Sequence, residues 1–522
     1  MDHPQPGLSL LSGASAETSA ERFPTVNPAR VGDVLATFGC ATPVQVATAC
    51  ERARAAFASW KRMPAPVRAG VLQNFGRLLE ANTEALARCV TREMGKPLRE
   101  ARGDVQEAID TCNFFVSEGR RLYGMTVPSE MPNKECSAYR RPIGVFACIT
   151  AGNFPVAVPS WYFVPALVAG NTCVWKPSED TPLTSYYFAQ LLTKAGLPDG
   201  VFTVLFGRGA GSTGAWLIDA VEKGWIDKFG FTGSTPVGRR IGEVCGRNLQ
   251  TPCLELGGKN PLVVMEDADL ELASTGAVWA GFGTAGQRCT SLGNLLLHET
   301  IRERFLKLLL AKVERMIIGD PMSESVTYGP MISEKFLQNH LRHLDTLVAG
   351  HHRLLTDPNG RIGRKKTWPR WIGGNPDDGW FCFPTIVDGV TPDDAIYSTE
   401  TFGPLFNVLT FGSIEEAIRL ANGTGYGLSS AIYTQTPAYV YQWKEEIAAG
   451  MTSINNSTTG AEAHLPFGGN GKSGNGSRQS GVWVLDQFTR WQAVNWDFSG
   501  TLQRAQMETG YLAAQTDYRI PS

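Results

Sequence analysis

The sequence predicts an α/β fold built on parallel sheets. The chain has 522 residues, of which 43% are apolar, and at ~100–200 residues per domain this length predicts about three structural units. From residue 143 onward, short apolar segments alternate with helical patterns, as in successive β-α-β units. Glycine accounts for 56 residues, above the usual ~7%, which predicts tight turns or backbone that lies close to a ligand. In such folds, ligands bind at the carboxyl ends of the strands.

Charge and composition exclude several classes of function. The chain carries 48 Lys and Arg against 50 Asp and Glu, so it has no basic field for nucleic acid or for an acidic membrane. The amino terminus lacks the basic region of a secretory signal, and no apolar run reaches the ~18–20 residues of a membrane span. The 11 cysteines have no short repeating spacing, which argues against a disulfide framework or a zinc ribbon and indicates a reducing compartment. We therefore expect a soluble cytoplasmic protein without a metal and without nucleic-acid or membrane partners.

Apolar periodicity predicts the elements of the first half of the chain. Residues 1–22 are rich in Ser, Ala, Gly and Pro, so we expect a flexible arm there. Intervals of three and four predict helices within 44–90 and over 105–122, which would cover a sheet. The following block is predicted to alternate between strands at 143–149, 172–175, 201–205 and 226–231 and helices at 160–168 and 183–195. Gly170 and Gly196 are placed to end the two helices.

A second alternating block spans 262–456, with strands predicted near 262–264, 295–297 and 431–433. Within it, 351–380 is long and polar, as is typical of a surface insertion. Its basic residues belong either to a solvated loop or to an anion site: Arg361, Arg364, Lys365, Lys366 and Arg370. After this block, 488–496 is predicted to form an exposed strand that carries Trp491 and Trp496, which favours a contact between subunits.

Cys289 is the sharpest candidate for chemistry. Small residues crowd the segment before it, Gly281-Phe282-Gly283-Thr284-Ala285-Gly286-Gln287-Arg288. The backbone can therefore turn closely around a thiol that a substrate must reach. The charge of Arg288 lowers the pKa of the thiol only if its side chain points the same way. A buried structural cysteine is the alternative.

Glu255 is the second candidate. It stands between two leucines, and partial desolvation of a carboxylate raises its pKa toward the range of a general base. An ion pair with Lys259 or a cap on the next helix explains the residue equally well. Glu255 and Cys289 are far enough apart in sequence to lie on different elements that face one cleft.

The ends of three predicted strands offer further polar groups. Gly233 and Ser234 open a helix, where free N–H groups favour phosphate, although many turns have this composition. Asn153 provides an amide for a developing oxyanion or forms an ordinary turn. Lys176 and Glu179 suit the hydroxyls of a ribose or form a surface ion pair.

In this order, the segments together resemble the aldehyde dehydrogenase superfamily over nearly the whole chain, from about residue 23 to residue 496. The motifs that carry the resemblance are Gly152-Asn153-Phe154-Pro155, Lys176-Pro177-Ser178-Glu179, Phe231-Thr232-Gly233-Ser234, Glu255-Leu256-Gly257-Gly258-Lys259, Gly286-Gln287-Arg288-Cys289, Glu400-Thr401-Phe402-Gly403-Pro404 and Pro466-Phe467-Gly468-Gly469. Their joint occurrence is far more specific than any one of them.

The resemblance implies a role for each catalytic candidate. Cys289 would attack the aldehyde carbon, and the Asn153 side chain with the Cys289 backbone N–H would hold the thiohemiacetal oxyanion. Hydride would pass to nicotinamide, and Glu255 would activate water to release the acid from the thioester. The resemblance implies cofactor contacts at Lys176, Ser178, Glu179, Phe231, Thr232, Gly233, Ser234, Val237, Leu256, Gly257, Glu400 and Phe402. Because a carboxylate at position 179 bonds a free 2′-hydroxyl and repels a 2′-phosphate, NAD is expected rather than NADP.

The resemblance also implies a division into domains. The expected units are a Rossmann-like NAD-binding domain (23–134 and 148–256), an α/β catalytic domain (257–477), a small β flap (135–147 and 478–500) and a tail (501–522). Subunits would pair through the flap as a homodimer or homotetramer. Two features depart from the family pattern: Ala151-Gly152 stand where many members carry Pro-Trp, and 351–380 is longer than the family norm.

Within the superfamily, 153–158, 283–290 and 460–462 are similar to the α-aminoadipic semialdehyde dehydrogenase (antiquitin) branch. This similarity implies a grip on an amino-carboxylate tail by Glu107, Arg288, Gly460 and Ala461. An entrance lined by Phe154, Trp161 and Phe467 would equally suit an aromatic or aliphatic aldehyde.

Two rival functions differ in what they require of Glu255 and Cys289. A CoA-acylating dehydrogenase usually lacks the glutamate that stands here as Glu255. A non-catalytic binding protein on the same scaffold would be expected to have lost Glu255 or Cys289. This chain keeps both, and esterase activity through Cys289 is the expected side reaction.

Overall fold

The computed structural model describes residues 10–11, 14–15, 21–507, 512 and 514–521. The α-helices in these ranges are α1 (Pro43–Trp60), α2 (Ala65–Ala81), α3 (Thr83–Met94), α4 (Leu98–Glu118), α5 (Ala157–Ala169), α6 (Pro182–Lys194), α7 (Thr213–Glu222), α8 (Thr235–Arg247), α9 (Leu270–Phe282), α10 (Arg302–Glu314), α11 (Glu334–Asp345), α12 (Ala395–Ser398), α13 (Ile414–Asn422), α14 (Pro437–Glu446) and α15 (Leu485–Phe488).

The β-strands in these ranges are β1 (Leu10–Leu11), β2 (Ala14–Ser15), β3 (Arg22–Asn27), β4 (Arg30–Gly39), β5 (Met125–Pro128), β6 (Lys134–Pro142), β7 (Val145–Ile149), β8 (Thr172–Lys176), β9 (Phe202–Val204), β10 (Lys228–Thr232), β11 (Cys253–Glu255), β12 (Asn260–Val264), β13 (Leu292–His298), β14 (Ile318–Gly319), β15 (Arg353–Leu354), β16 (Trp371–Ile372), β17 (Thr385–Asp388), β18 (Leu405–Phe411), β19 (Tyr426–Gly427), β20 (Ser429–Tyr433), β21 (Met451–Ile454), β22 (Asn470–Gly471) and β23 (Thr489–Asp497).

A parallel five-stranded sheet forms the first α/β unit. Its strands lie in the order β11-β10-β7-β8-β9, and each neighbouring pair is parallel. All residues of β8, β9, β10 and β11 are buried, as expected when helices cover both faces of a parallel sheet. Helix α5 is also buried along its whole length, and Gly170 ends it with a left-handed φ of 98°, which a glycine adopts without steric cost.

A seven-stranded sheet forms the second α/β unit. Its order is β15-β17-β18-β13-β12-β20-β21, and only the edge pair of β15 and β17 is antiparallel. Strand β12 begins at Asn260, one short turn after β11 ends at Glu255. The carboxyl edge of the first sheet therefore leads directly to the amino edge of the second.

A smaller antiparallel sheet projects from these two units. It has the order β23-β6-β5, and β23 pairs with β6 along its full length. The predicted exposed strand at 488–496 is confirmed as β23, and its Trp491 and Trp496 are 51% and 64% exposed. The domain bounds and the role of this sheet as a flap between subunits stay predictions.

The predicted alternation of strands and helices is confirmed in both blocks, with ends displaced by up to three residues. The helical pattern of 44–90 is divided into α1, α2 and α3, with breaks at Pro64 and Asn82. The predicted start of a helix at residue 105 is wrong, because α4 begins at Leu98 after Pro97, a residue suited to the edge of a helix. The predicted arm at 1–22 lies largely outside the described residues.

The segment 351–380 is only partly a surface insertion, because Ile362 and Trp368 are buried in the core of the second unit. Its basic side chains largely serve the protein itself. Arg361 donates to the backbone oxygens of residues 377 and 379, and Arg370 donates to the backbone oxygen of residue 315. These bonds favour a structural role over an anion site.

In the described part of the chain, no helix combines the length and the apolar character that a membrane crossing requires.

Phe146 on β7 is a centre of the first core. It is 1% exposed, and its ring lies 6.0, 6.1 and 4.9 Å from the rings of Tyr162, Phe163 and Phe488. Replacing Phe146 by Ala is expected to lower the free energy of unfolding by about 3–5 kcal/mol, because it leaves a cavity among these rings.

Chemical denaturation tests this expectation, with Tyr441→Ala as the control at a position that is 68% exposed. The control is expected to change the free energy of unfolding by no more than about 0.5 kcal/mol. Equal losses in the two variants would contradict the assignment of Phe146 to the core.

Candidate active site

Loops from the two facing sheet edges enclose a large cavity. Its lining includes the loops that follow β7, β10 and β11 in the first sheet and the segments that precede β13 and β18 in the second. The cavity volume is about 1240 Å³, large for a small-molecule site. The residues that the sequence places at strand ends therefore meet in one space, as the carboxyl-edge rule predicts.

Most of the predicted site residues line this cavity. They are Asn153, Glu255, Cys289, Thr232, Gly233, Ser234, Leu256, Gly257, Glu400, Phe402, Glu107, Phe154, Trp161, Arg288, Gly460, Ala461 and Phe467. Five predicted cofactor contacts lie outside its lining: Lys176, Ser178, Glu179, Phe231 and Val237. Asp180, beside Glu179, does line it, so this end of the cavity reaches the segment that follows β8.

The turn before Cys289 has an unusual backbone. Thr284 and Ala285 adopt left-handed φ angles of 53° and 55°, followed by Gly286 at 68°. Left-handed backbone costs a residue with a Cβ roughly 1–2 kcal/mol, so surrounding groups must hold this turn. Gln287 supplies part of the hold, since its Nε2 donates to the Thr284 oxygen at 3.1 Å and its Oε1 accepts from the Ile332 amide at 2.9 Å.

The Cys289 thiol is partly exposed to the cavity. Desolvation raises its pKa well above the ordinary value, and the nearby carboxylates of Glu255 and Glu400 add to the rise. Arg288 pairs with Glu100 at 2.6 Å and lies 4.2 Å above the Trp279 ring, rather than against the thiol. Burial and the neighbouring acidic groups therefore disfavour the thiolate form of Cys289.

Glu255 is buried at the end of β11, with 1% exposure. Burial raises the pKa of its carboxyl well above the usual range, while the Cys289 thiol and the Arg478 charge oppose the rise. Among the described residues, neither oxygen has a hydrogen-bond partner of standard geometry. The predicted direction of the shift is confirmed, and a raised pKa makes the ionised carboxylate a stronger proton acceptor.

Asn153 is held by the turn before Cys289. Its Nδ2 donates to the backbone oxygen of Gln287 at 2.8 Å, which fixes the amide near Cys289. An amide nitrogen carries two N–H groups, so the second remains for an oxyanion. The Asn153 side chain is 6% exposed, which strengthens any hydrogen bond that it donates.

The start of α8 presents backbone donors to the cavity. Ser234 is its N-cap residue, and the Ser234 side chain makes no capping bond, so the N–H groups of Thr235 and Val237 are open to an anion, whereas Pro236 has no N–H. Nearby, a Cβ on Gly257 would lie 1.9 Å from the Glu400 carboxylate. Glycine is therefore required for Glu400 to reach the Gly258 amide, which donates to it at 3.2 Å.

Lys176 is buried at the end of β8 and donates to Glu179 at 3.0 Å. The residues were expected either to contact the hydroxyls of a ribose or to form an ion pair. The ion pair is present, and Glu179 is partly exposed. A paired lysine and carboxylate at a strand end are still able to contact sugar hydroxyls through their remaining donors and acceptors.

Acidic residues on one face of α4 line the cavity. The sequence patterns identified only one of them. Glu107 was identified, whereas Glu100 and Asp104 on the same face were missed. Their spacing of three and four residues is the signal that could have found them. Asp104 pairs with buried Lys96 at 3.2 Å, and the Lys96 ammonium lies 3.4 Å from the centre of the Phe154 ring.

Glu107 is the unpaired member of this face. Burial raises the pKa of its carboxyl to about 8, and its Oε1 has no hydrogen-bond partner in the described part of the chain. A buried polar atom without a partner is costly in a protein alone. A ligand that brings a donor would remove this cost.

Known proteins similar to this chain share its length and its fold. The chain matches the aldehyde dehydrogenase family over residues 15–494. It is 34% identical over 488 residues to alpha-ketoglutaric semialdehyde dehydrogenase of Bacillus subtilis, covering 93% of this chain and 97% of the relative. It is also 34% identical over 449 residues to aldehyde dehydrogenase family 7 member A1 of Brassica napus, covering 85% and 86%.

A solved structure with the same architecture contains a dinucleotide. PnpE from Pseudomonas sp. WBC-3, in complex with nicotinamide adenine dinucleotide, superimposes with a TM-score of 0.88 at 32% identity. The superposition covers 96% of this chain and 99% of PnpE.

Because the Glu255 charge raises the pKa of the Cys289 thiol, Glu255→Gln is expected to lower that pKa. The pH profile of Cys289 alkylation by iodoacetamide should then shift to lower pH. Glu400→Gln is the matched control: it removes a smaller contribution and should shift the profile less. An unchanged profile, or a shift to higher pH, in Glu255→Gln would contradict the coupling of the two groups.

Proposed function

The chain belongs to the aldehyde dehydrogenase family, and we propose that it oxidises a semialdehyde with an anionic tail to the carboxylic acid, with NAD as the oxidant. The observation that carries the proposal is the placement of Cys289 and Glu255 side by side in one cavity. The helix end at Ser234, whose side chain makes no capping bond, lines the same cavity.

The residues of this chain fit NAD. The open N–H groups at the start of α8 suit a pyrophosphate, and the buried Glu400 carboxylate offers an acceptor for a ribose hydroxyl. Lys176 and Glu179 would contact the other ribose, where the Glu179 carboxylate opposes a 2′-phosphate. This favours NAD over NADP. When bound, NAD supplies the hydride acceptor for oxidation of the carbonyl carbon.

Cys289 is the proposed nucleophile. Its thiol has a raised pKa, so it must first release its proton to solvent, to which Cys289 is partly exposed, before the thiolate attacks the aldehyde. The sulfur would then bond to the carbonyl carbon, and the oxyanion would accept from Asn153 Nδ2. Because the site is desolvated, this donation stabilises the developing charge strongly.

Glu255 is the proposed base for the second half of the reaction. A water that attacks the thioester on Cys289 must lose a proton, and the raised pKa of the Glu255 carboxyl makes it an effective acceptor. The same residue argues against transfer of the acyl group to CoA, since water activation would then be unnecessary.

The substrate tail is proposed to lie between Arg288 and Glu107. The Arg288 Nε donates to Thr284 and its Nη2 to Glu100, so among the described residues its Nη1 is left for a substrate carboxylate. Glu107 would accept from an amino group, as in the antiquitin branch. The relative from Bacillus subtilis is named for an aldehyde that carries a carboxylate, in agreement with the Arg288 contact.

An aromatic or aliphatic aldehyde is the second candidate. The Trp161 and Phe467 rings lie 4.6 Å apart and give the cavity an apolar wall. Such a wall binds a hydrophobic aldehyde without help from Arg288 or Glu107.

We also propose that the chain forms a homodimer or homotetramer through the sheet of β5, β6 and β23. Met125, Trp491 and Trp496 on this sheet are 61%, 51% and 64% exposed. Large apolar side chains exposed together favour contact with another subunit.

Replacing Cys289 by Ala is expected to abolish NADH formation, because the variant cannot form the covalent intermediate. Glu255→Gln should give a burst of NADH followed by slow turnover, since acylation precedes the step that needs the base. Stopped-flow absorbance at the NADH band measures both. Full steady-state turnover in either variant would overturn the assigned roles.

Turnover of a panel of aldehydes with NAD and with NADP tests the substrate class. Aminoadipate semialdehyde is expected to give a higher kcat/KM than benzaldehyde and hexanal, and Glu107→Gln should reduce this preference by about tenfold, which is the weight of one charged hydrogen bond. A clear preference for benzaldehyde or hexanal would instead support the second candidate.

A further inference from the structure

Glu100, in the first turn of α4, contacts the turn that precedes Cys289 at several points. Its Oε1 accepts from the Thr284 amide at 3.2 Å, and its Oε2 accepts from the Thr284 hydroxyl. The same Oε2 accepts from Arg288 Nη2 at 2.6 Å. Arg288 Nε closes the network by donating to the Thr284 hydroxyl at 3.0 Å.

This network acts on the part of the turn with the least favourable backbone. Thr284 and Ala285 hold left-handed φ angles that residues with a Cβ rarely adopt. Charge-assisted hydrogen bonds to a buried carboxylate are among the stronger polar contacts in proteins. The Glu100 and Arg288 side chains are only 6% and 9% exposed, so water competes little for them.

The consequence for chemistry follows from the order of the chain. Arg288 precedes Cys289 directly, and the backbone oxygen of Gln287 accepts the Asn153 amide. If the turn relaxed toward right-handed φ angles, the thiol and the oxyanion donor would move relative to each other. Small displacements of this kind lower rates strongly.

We propose that Glu100 is a positioning residue of the reaction assigned above: it holds the left-handed turn that presents Cys289 to the substrate. This role requires no contact between Glu100 and the substrate or the cofactor. Its carboxylate holds both the backbone of Thr284 and the guanidinium of Arg288. It thereby fixes the position of the Cys289 thiol relative to the Asn153 amide. The proposal rests on the proposed function only for its kinetic part.

The first test needs no substrate. Hydrogen exchange of the peptide that covers 283–289 is expected to be about tenfold faster in Glu100→Gln, because both Glu100 oxygens accept hydrogen bonds here and an amide has only one accepting oxygen. Glu118→Gln on the same helix is the matched control, since Glu118 is buried and pairs with Arg121 away from the cavity. Unchanged exchange in Glu100→Gln would overturn the proposal whether or not the chain oxidises aldehydes.

The second test measures kcat with the aldehyde that the unmodified chain oxidises best. Glu100→Gln is expected to lower kcat at least tenfold, whereas the dissociation constant for NAD should stay within about twofold, because the hydrogen bonds of Glu100 go to Thr284 and Arg288 and not to the start of α8. If kcat and the affinity for NAD fell by equal factors, the result would indicate general destabilisation and would overturn a positioning role.

A second substitution tests whether Glu100 acts through the backbone of the turn rather than through the rest of the network. A glycine adopts the φ angle of 55° at position 285 without steric cost, so Ala285→Gly should restore at least a third of the lost kcat in the Glu100→Gln background. In the unmodified chain the same change should alter kcat by less than about twofold. Absence of any rescue would contradict the proposal that Glu100 acts by holding the left-handed turn.

Discussion

The desolvation of Cys289 and Glu255 is the constraint on which the site depends. Both groups lie where the carboxyl edge of one parallel sheet meets the amino edge of another, and there burial raises the pKa of each. Burial disfavours the charged form of both groups, so each of them, once deprotonated, is a stronger proton acceptor than it would be in water. The helices that cover the two sheets serve this arrangement by excluding water.

The edge at which the two sheets meet also requires an unusual backbone conformation. The turn before Cys289 must bend around the thiol without filling the cavity, which small residues and left-handed φ angles achieve. Such a turn is stable only when polar side chains from other elements hold it. Hydrogen bonds made by Gln287, Asn153 and Glu100 hold the turn. The free energy cost of its left-handed backbone is therefore offset by contacts with several parts of the fold.

Residues at strand ends were predictable from the sequence, because the period of a strand and the glycine that follows it are local signals. Glu255, Asn153 and Ser234 were found in this way, and Cys289 by its small neighbours. The role of Glu100 was missed because its partner Thr284 lies in a distant segment of the chain. The start of α4 was also missed: Leu98 and Ala101 are buried and belong to its apolar stripe, but charged residues and Gly103 interrupt this pattern in the sequence. Motif resemblance supplied the roles that local patterns could not.

Mass spectrometry of the covalent intermediate tests the central claim most directly. Enzyme that is turning over an aldehyde with NAD is quenched in acid, digested and mapped. The account predicts the mass of the acyl group on the peptide that contains Cys289, with the other ten cysteines unmodified. An acyl group on a different cysteine, or NADH formation with no acylated peptide at any time, would contradict it.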